Sequence, residues 1–136
     1  MADAVTSQTI LDGERLFIAK FTNISDGTGE SAVTKIDVSS LSANGSGLAC
    51  NGVKINKIFA MTEGMSVDIL WDATVDALCV TIPQNQMYKM DYSCFGGISN
   101  NAGAGVTGDV QFTTVGAASG DRYTVVLECI KTYASV

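Results

Sequence analysis

The stretch DRYTVVLECIKTY, residues 121–133, alternates as an extended strand does. Successive side chains of a strand point to opposite sides, so Tyr123, Val125, Leu127 and Cys129 share one face. Thr124, Val126, Glu128 and Ile130 share the other, which is partly apolar too. A strand wetted on one side reads apolar-in and polar-out. This one wants cover on both sides, from its own chain or from a partner subunit.

The rest of the chain agrees with a β reading. At 136 residues it is one domain, long enough to bury about two thirds of its unfolded surface. Val, Ile and Thr are frequent, with 14 Gly, one Pro and charged residues at only 16%. No window sustains apolar residues at helical spacing. The longest apolar runs, 16–19 and 58–61, are too short to cross a bilayer, and residues 1–9 lack the basic start and apolar core of a signal peptide.

Residues 4–11 are a mixed lead-in ending at the turn pair Asp12-Gly13, an edge strand or an extended arm within residues 1–13. In residues 14–24 (ERLFIAKFTNI), Arg15, Phe17, Ala19 and Phe21 face one way and Leu16, Ile18, Lys20 and Ile24 the other. Both faces again want cover. Residues 25–30 (SDGTGE) read as a solvated turn, since they lack the regular acidic spacing of a calcium loop. Residues 31–38 give a third strand, and 39–52, rich in Ser, Gly and Asn, a long surface connection of the Greek-key kind. Residues 53–62 and 65–72 flank Glu63-Gly64 and predict a hairpin with a two-residue turn. Val67, Ile69 and Trp71 share a face there, placing the tryptophan in the core.

Residues 77–82 form a short strand closed by Pro83. Residues 87–92 form a strand or an extended surface, 96–108 a glycine-rich loop, and 107–115 a strand leading through 117–120 into the closing one. The count is about eight strands. The fold expected is a single-domain, all-β antiparallel β-sandwich, and the jelly roll is its commonest eight-stranded form.

The chemistry-bearing patterns are few. The net charge is −6, and the eight Lys and Arg are scattered without a basic cluster, which argues against nucleic-acid contact. Histidine is absent, so the usual general base near neutral pH is missing. Cys50, Cys79, Cys94 and Cys129 have no paired spacing, so no metal site is expected, and they read as reduced, mostly buried thiols. GAGVTG at 103–108 matches a dinucleotide fingerprint in letters only, because a β-pattern rather than a helix follows it. Asp68, Asp72, Asp76 and Asp91 offer carboxylate pairs of the kind any acidic domain provides by chance. No enzymatic activity and no cofactor are expected.

Three segments carry a resemblance: FGGISNNAGAGVTGDVQFTT at 95–114, ILWDAT at 69–74 and the opening VTSQTILDGER at 5–15. Together they resemble small virion structural proteins of tailed bacteriophages, the capsid-decorating or cementing proteins. The resemblance implies a jelly-roll-like sandwich on the outside of an icosahedral shell, made in the host cytoplasm. Its partners would be the major capsid protein and, as a homodimer or homotrimer, itself; nucleic acid and membrane would not be among them. The expected interface comes from the strand faces rather than from the resemblance: Leu16, Ile18, Ile24, Val126, Ile130 and Tyr133. The alternative is a carbohydrate- or receptor-binding sandwich module of a phage fibre, with Tyr88, Tyr92 and Tyr133 stacking on sugar rings.

Overall fold

A computed structural model describes residues 3–133 of the chain. Nine strands follow one another: β1 (Ala4–Asp12), β2 (Leu16–Ile24), β3 (Val33–Ile36), β4 (Cys50–Glu63), β5 (Ser66–Trp71), β6 (Ala77–Ile82), β7 (Met87–Asp91), β8 (Val110–Val115) and β9 (Arg122–Tyr133). Short 3-10 turns at Val38–Ser40 and Ser93–Phe95 are the helical elements among the described residues. The strands form two antiparallel sheets in the orders β1-β2-β9-β4-β7 and β3-β8-β5-β6. With β1 set aside, the orders 2-9-4-7 and 3-8-5-6 are those of a jelly roll, two Greek keys wound into a sandwich. The count is nine because residues 4–11, with Asp12, form an edge strand on β2.

β9 lies at the centre of the larger sheet, paired with β2 on one side and β4 on the other. Its alternation is realised as read: Tyr123, Val125, Leu127 and Cys129 are buried between the sheets. The facing sheet contributes Val67, Ile69 and Trp71 from β5 and Phe112 from β8, all fully buried. Phe112 bridges the layers, with its ring edge-on to Phe21 (5.4 Å) and to Tyr123 (5.8 Å). Each such side chain contributes roughly 1.5–3 kcal/mol by leaving water. Two thiols, Cys50 and Cys129, sit in this core; Cys79 is half-buried and Cys94 exposed, and none is in a disulfide.

Two sequence expectations need correction. Residues 53–62 and 65–72 do not form a hairpin, because β4 belongs to the larger sheet and β5 to the smaller one. Alternation reports which side chains share a face, not which strand lies alongside. The Glu63-Gly64 turn instead carries the chain from one layer to the other, with Gly64 at φ +80°. A side chain at Gly64 would meet the Asp121 carboxylate at 2.1 Å. The second correction concerns residues 25–30, which are not wholly a solvated turn. Asp26 accepts from its own neighbours, the Thr28 N–H (3.1 Å) and hydroxyl (2.6 Å). Glu30, however, turns inward, where it takes a hydrogen bond from the Tyr123 hydroxyl (2.6 Å) and pairs with Lys35. Burial, and then this bond to Glu30, push the Tyr123 hydroxyl well above its ordinary pKa.

Candidate functional site: the outer face of the larger sheet

The outer surface of the five-stranded sheet is built from the residues that alternate with the core. Register lines them up in rows across the strands. One row runs Gln8, Lys20, Val126, Phe59, Lys89; the next runs Thr6, Thr22, Thr124, Met61, Met87. On the other side lie Ile18, Glu128, Lys57 and Asp91, then Leu16, Ile130 and Lys54. Ile24, Arg122 and Glu63 form a further row.

Five of the six expected interface residues meet on this face. Leu16 and Ile130 are direct cross-strand partners, Ile18 is two residues along from Leu16, and Val126 stands between Lys20 and Phe59. Leu16, Ile18, Val126 and Ile130 are half-buried by their neighbours, and Ile24 is exposed. Tyr133 is the exception. It follows Lys131 on the inward alternation of β9 and packs against the core, with its hydroxyl donating to the Glu14 carbonyl. Tyr133 is therefore not part of the outer face.

Sequence reading missed three of the eight apolar residues of the patch. Phe59 and Met61 on β4 and Met87 on β7 are 41%, 56% and 82% exposed, and with Val126 they line a shallow groove of about 280 Å³. Lys89 holds its ammonium 5.7 Å from the Phe59 ring centre, a cation–π contact that leaves the charge at the rim. The signal for Phe59 and Met61 was present as an alternation with buried Ile58 and Ala60. A bulge between Ile55 and Lys57 hides it, because one extra residue shifts the alternation by a face.

The charges are sorted as well. Lys20, Lys54, Lys57, Lys89 and Arg122 stand on the outer face against Glu63, Asp91 and Glu128. The rest of the molecule keeps three bases against eleven acids. Two of those three bases, Lys35 and Lys131, are consumed in buried pairs with Glu30 and Asp12. A chain of charge −6 thus presents one apolar face of net positive charge. Within that face, Lys57 and Glu128 approach to 3.8 Å, a partly exposed pair of small energetic weight.

The carboxylates weighed as acid–base pairs are tied to local structure. Asp72 accepts from the Thr107 hydroxyl (2.7 Å) and Gln111 Nε2 (3.1 Å), and Asp68 from the Thr81 hydroxyl (2.8 Å). Asp76 accepts from the Ala73 N–H. Asp91 accepts from the Ser93 N–H, and its bonds to Ser93 hold its carboxyl below the usual range. Among the described residues no group of three or more Cys, Asp or Glu side chains is placed to hold a metal ion. No helix among them is long and apolar enough to cross a membrane. The tyrosines proposed to stack on sugars are engaged elsewhere: the Tyr88 and Tyr92 hydroxyls are bonded to each other at 2.9 Å, and Tyr92 is buried. No protein-family model matches this chain, and neither does any curated protein.

Proposed function

We propose that this protein is a capsid decoration or cementing protein of a tailed phage, fixed to the outside of the shell through the outer face of its larger sheet. The observation that carries the reading is the concentration on one face of Leu16, Ile18, Phe59, Met61, Val126 and Ile130 among five bases, on a molecule otherwise acidic. Such a face fits an acidic, partly apolar surface of the major capsid protein. Steering by opposite charge speeds encounter, and apolar burial sets residence time. The acidic remainder would face solvent.

A cement needs area and no reactive group. Each apolar side chain covered at the contact contributes roughly 1.5–3 kcal/mol gross, reduced by the ordering costs of association. The jelly roll is an architecture that viral shells use, and segments 69–74 and 95–114 carry the resemblance to phage virion proteins.

The test mixes the protein with empty shells of the phage that encodes it and sediments the particles. Saturable, stoichiometric binding that Phe59→Asp abolishes, with an unchanged melting temperature, is the expected result. No binding to the shells, together with a specific hit in a glycan array, would transfer the protein to the carbohydrate-binding class.

A further inference from the structure

The four edges of the two sheets are not equally protected. β3 is four residues long with a bulge between Thr34 and Ile36. β6 pairs with β5 through an irregular register and runs into Pro83. β7 has five residues and carries Lys89 and Asp91. Short length, bulges, proline and charge are the devices that keep sheet edges from pairing with other chains. β1 is different. It is nine residues long, has no charged residue from Ala4 to Leu11, and is exposed over all of them. Val5 and Ile10 stand 44% and 54% open.

This edge is nevertheless held in place at both ends. Asp3 accepts from Asn23 Nδ2, the Asp26 N–H and the Thr28 hydroxyl, each at 3.1 Å. At the other end Asp12 is gripped by Lys131 at 2.7 Å and by Ser42. Midway, the Thr6 and Thr22 hydroxyls are bonded to each other. On the side away from β2, β1 is thus a preordered row of backbone groups with no strand among the described residues beside it.

We propose that β1 is the docking edge for β1 of a second copy, running antiparallel. The contact joins two five-stranded sheets into one of ten strands about a two-fold axis normal to the sheet. Charge favours this occupant. Two copies meeting face to face would oppose their bases, whereas the stretch Ala4–Leu11 brings no side-chain charge to the contact. The carboxylates at its ends are already bonded within each chain. An edge paired with its own copy also closes after one contact and leaves no growing filament. The bulge between Thr9 and Leu11 confines the pairing to residues 4–9. Both outer faces then lie on the same side of the dimer. If the docking reading above is right, each dimer engages a shell twice, which raises avidity without new chemistry.

The experiment is sedimentation velocity on the isolated protein from micromolar concentrations upward, since six-residue edges make a small contact. The expected mass is twice 14.2 kDa at the upper end. In an antiparallel pairing of residues 4–9 the axis passes beside Thr6 or Ser7, so Thr6→Lys with Ser7→Lys opposes a lysine to its own copy. That variant should sediment as a single folded chain, with a cooperative melt lowered by no more than the loss of the exposed Thr6–Thr22 bond. A wild-type protein that stays single at every concentration, or a doubled mass that survives the substitutions, overturns the proposal. Should the variant not fold, hydrogen exchange on the wild type decides. Protection of amides 4–9 must rise with concentration, and protection that does not change on dilution rejects the pairing. No shell is present in either measurement, so this inference and the capsid reading fail separately.

Discussion

At the scale of single residues, the most consequential side chain outside the apolar core is Lys131. It stands in the inward row of β9, between Cys129 and Tyr133, as an ammonium with no exposed surface, donating to Asp12 (2.7 Å), the carbonyls of Gly13 (2.9 Å) and Ser42 (2.7 Å), and the Ser42 hydroxyl (3.1 Å). One cation thereby ties together the end of β1, the long connection after β3, and β9. Burial works against the Lys131 charge, but its bond to Asp12 prevails and leaves the ammonium above its usual pKa. Burial likewise tends to raise the Asp12 carboxyl, and its bonds from Lys131 and Ser42 bring it below the ordinary range. Lys131→Met removes the cation and strands these acceptors, with an expected loss of about 3 kcal/mol, at the low end for a buried pair because Asp12 can rehydrate. A urea midpoint that falls at unchanged slope would register it. The sign with pH follows from the two directions. The Asp12 contribution is present above the unfolded value of about 4 and is lost as pH falls through the lower folded value. The Lys131 contribution is complete below about 10.4 and is lost only as pH rises through its raised value. Lys131→Met should therefore flatten the acid limb of the stability curve; an acid limb identical to that of the wild type would remove Asp12 from this account.

At the scale of elements, β4 governs what the sequence could and could not disclose. Strands β2, β5 and β9 are legible because their apolar residues alternate without interruption, so the faces of Leu16, Ile18, Val126 and Ile130 follow by parity alone. In β4 the bulge at Asn56 breaks parity. Val53 and Ile55 point inward, and after it Ile58 and Ala60 do, so Phe59 and Met61 emerge on the outer face. A strict alternation from Val53 would have buried both. Asn56 itself is accommodated by donating to Glu128 at 2.8 Å. Strand partnership was illegible for a different reason. Glu63-Gly64 has the composition of a hairpin turn, but whether two strands pair or separate into opposite layers depends on β7, β8 and β9, far along the chain. Tyr133 shares the parity of Cys129, and that parity, not its place at the strand end, decides that it packs on the core rather than at the interface. The element-scale prediction concerns the turn between layers. Gly64→Ala must place a Cβ at positive φ and against the Asp121 carboxylate, which accepts from the Ala118 N–H (2.8 Å). The expected cost is roughly 1–3 kcal/mol, seen as a lower melting temperature. A melt unchanged by the substitution would mean that this crossing tolerates a different backbone.

At the scale of the whole molecule, the decisive property is polarity. The fold separates charge along the sandwich normal: five bases with Phe59, Met61 and Met87 on one sheet's outer face, and most acids elsewhere. This separation distinguishes two modes of adhesion for the face. Apolar burial alone is nearly insensitive to moderate salt, while attraction of exposed charges is screened beyond about 8–10 Å at physiological ionic strength. Lys20 and Lys89 stand in one row, on either side of Val126 and Phe59, so reversing both changes the field at the patch while sparing its apolar centre. Lys20→Glu with Lys89→Glu should fold as the wild type does and lower the association rate with shells about tenfold or more at low salt. The dissociation rate, set by Phe59, Met61 and Val126, should change far less. Raising the salt should slow the wild type towards the variant until the two coincide. Binding rates that match at every ionic strength would show that the basic rim plays no part in the encounter, and the partner surface would then be apolar without being acidic.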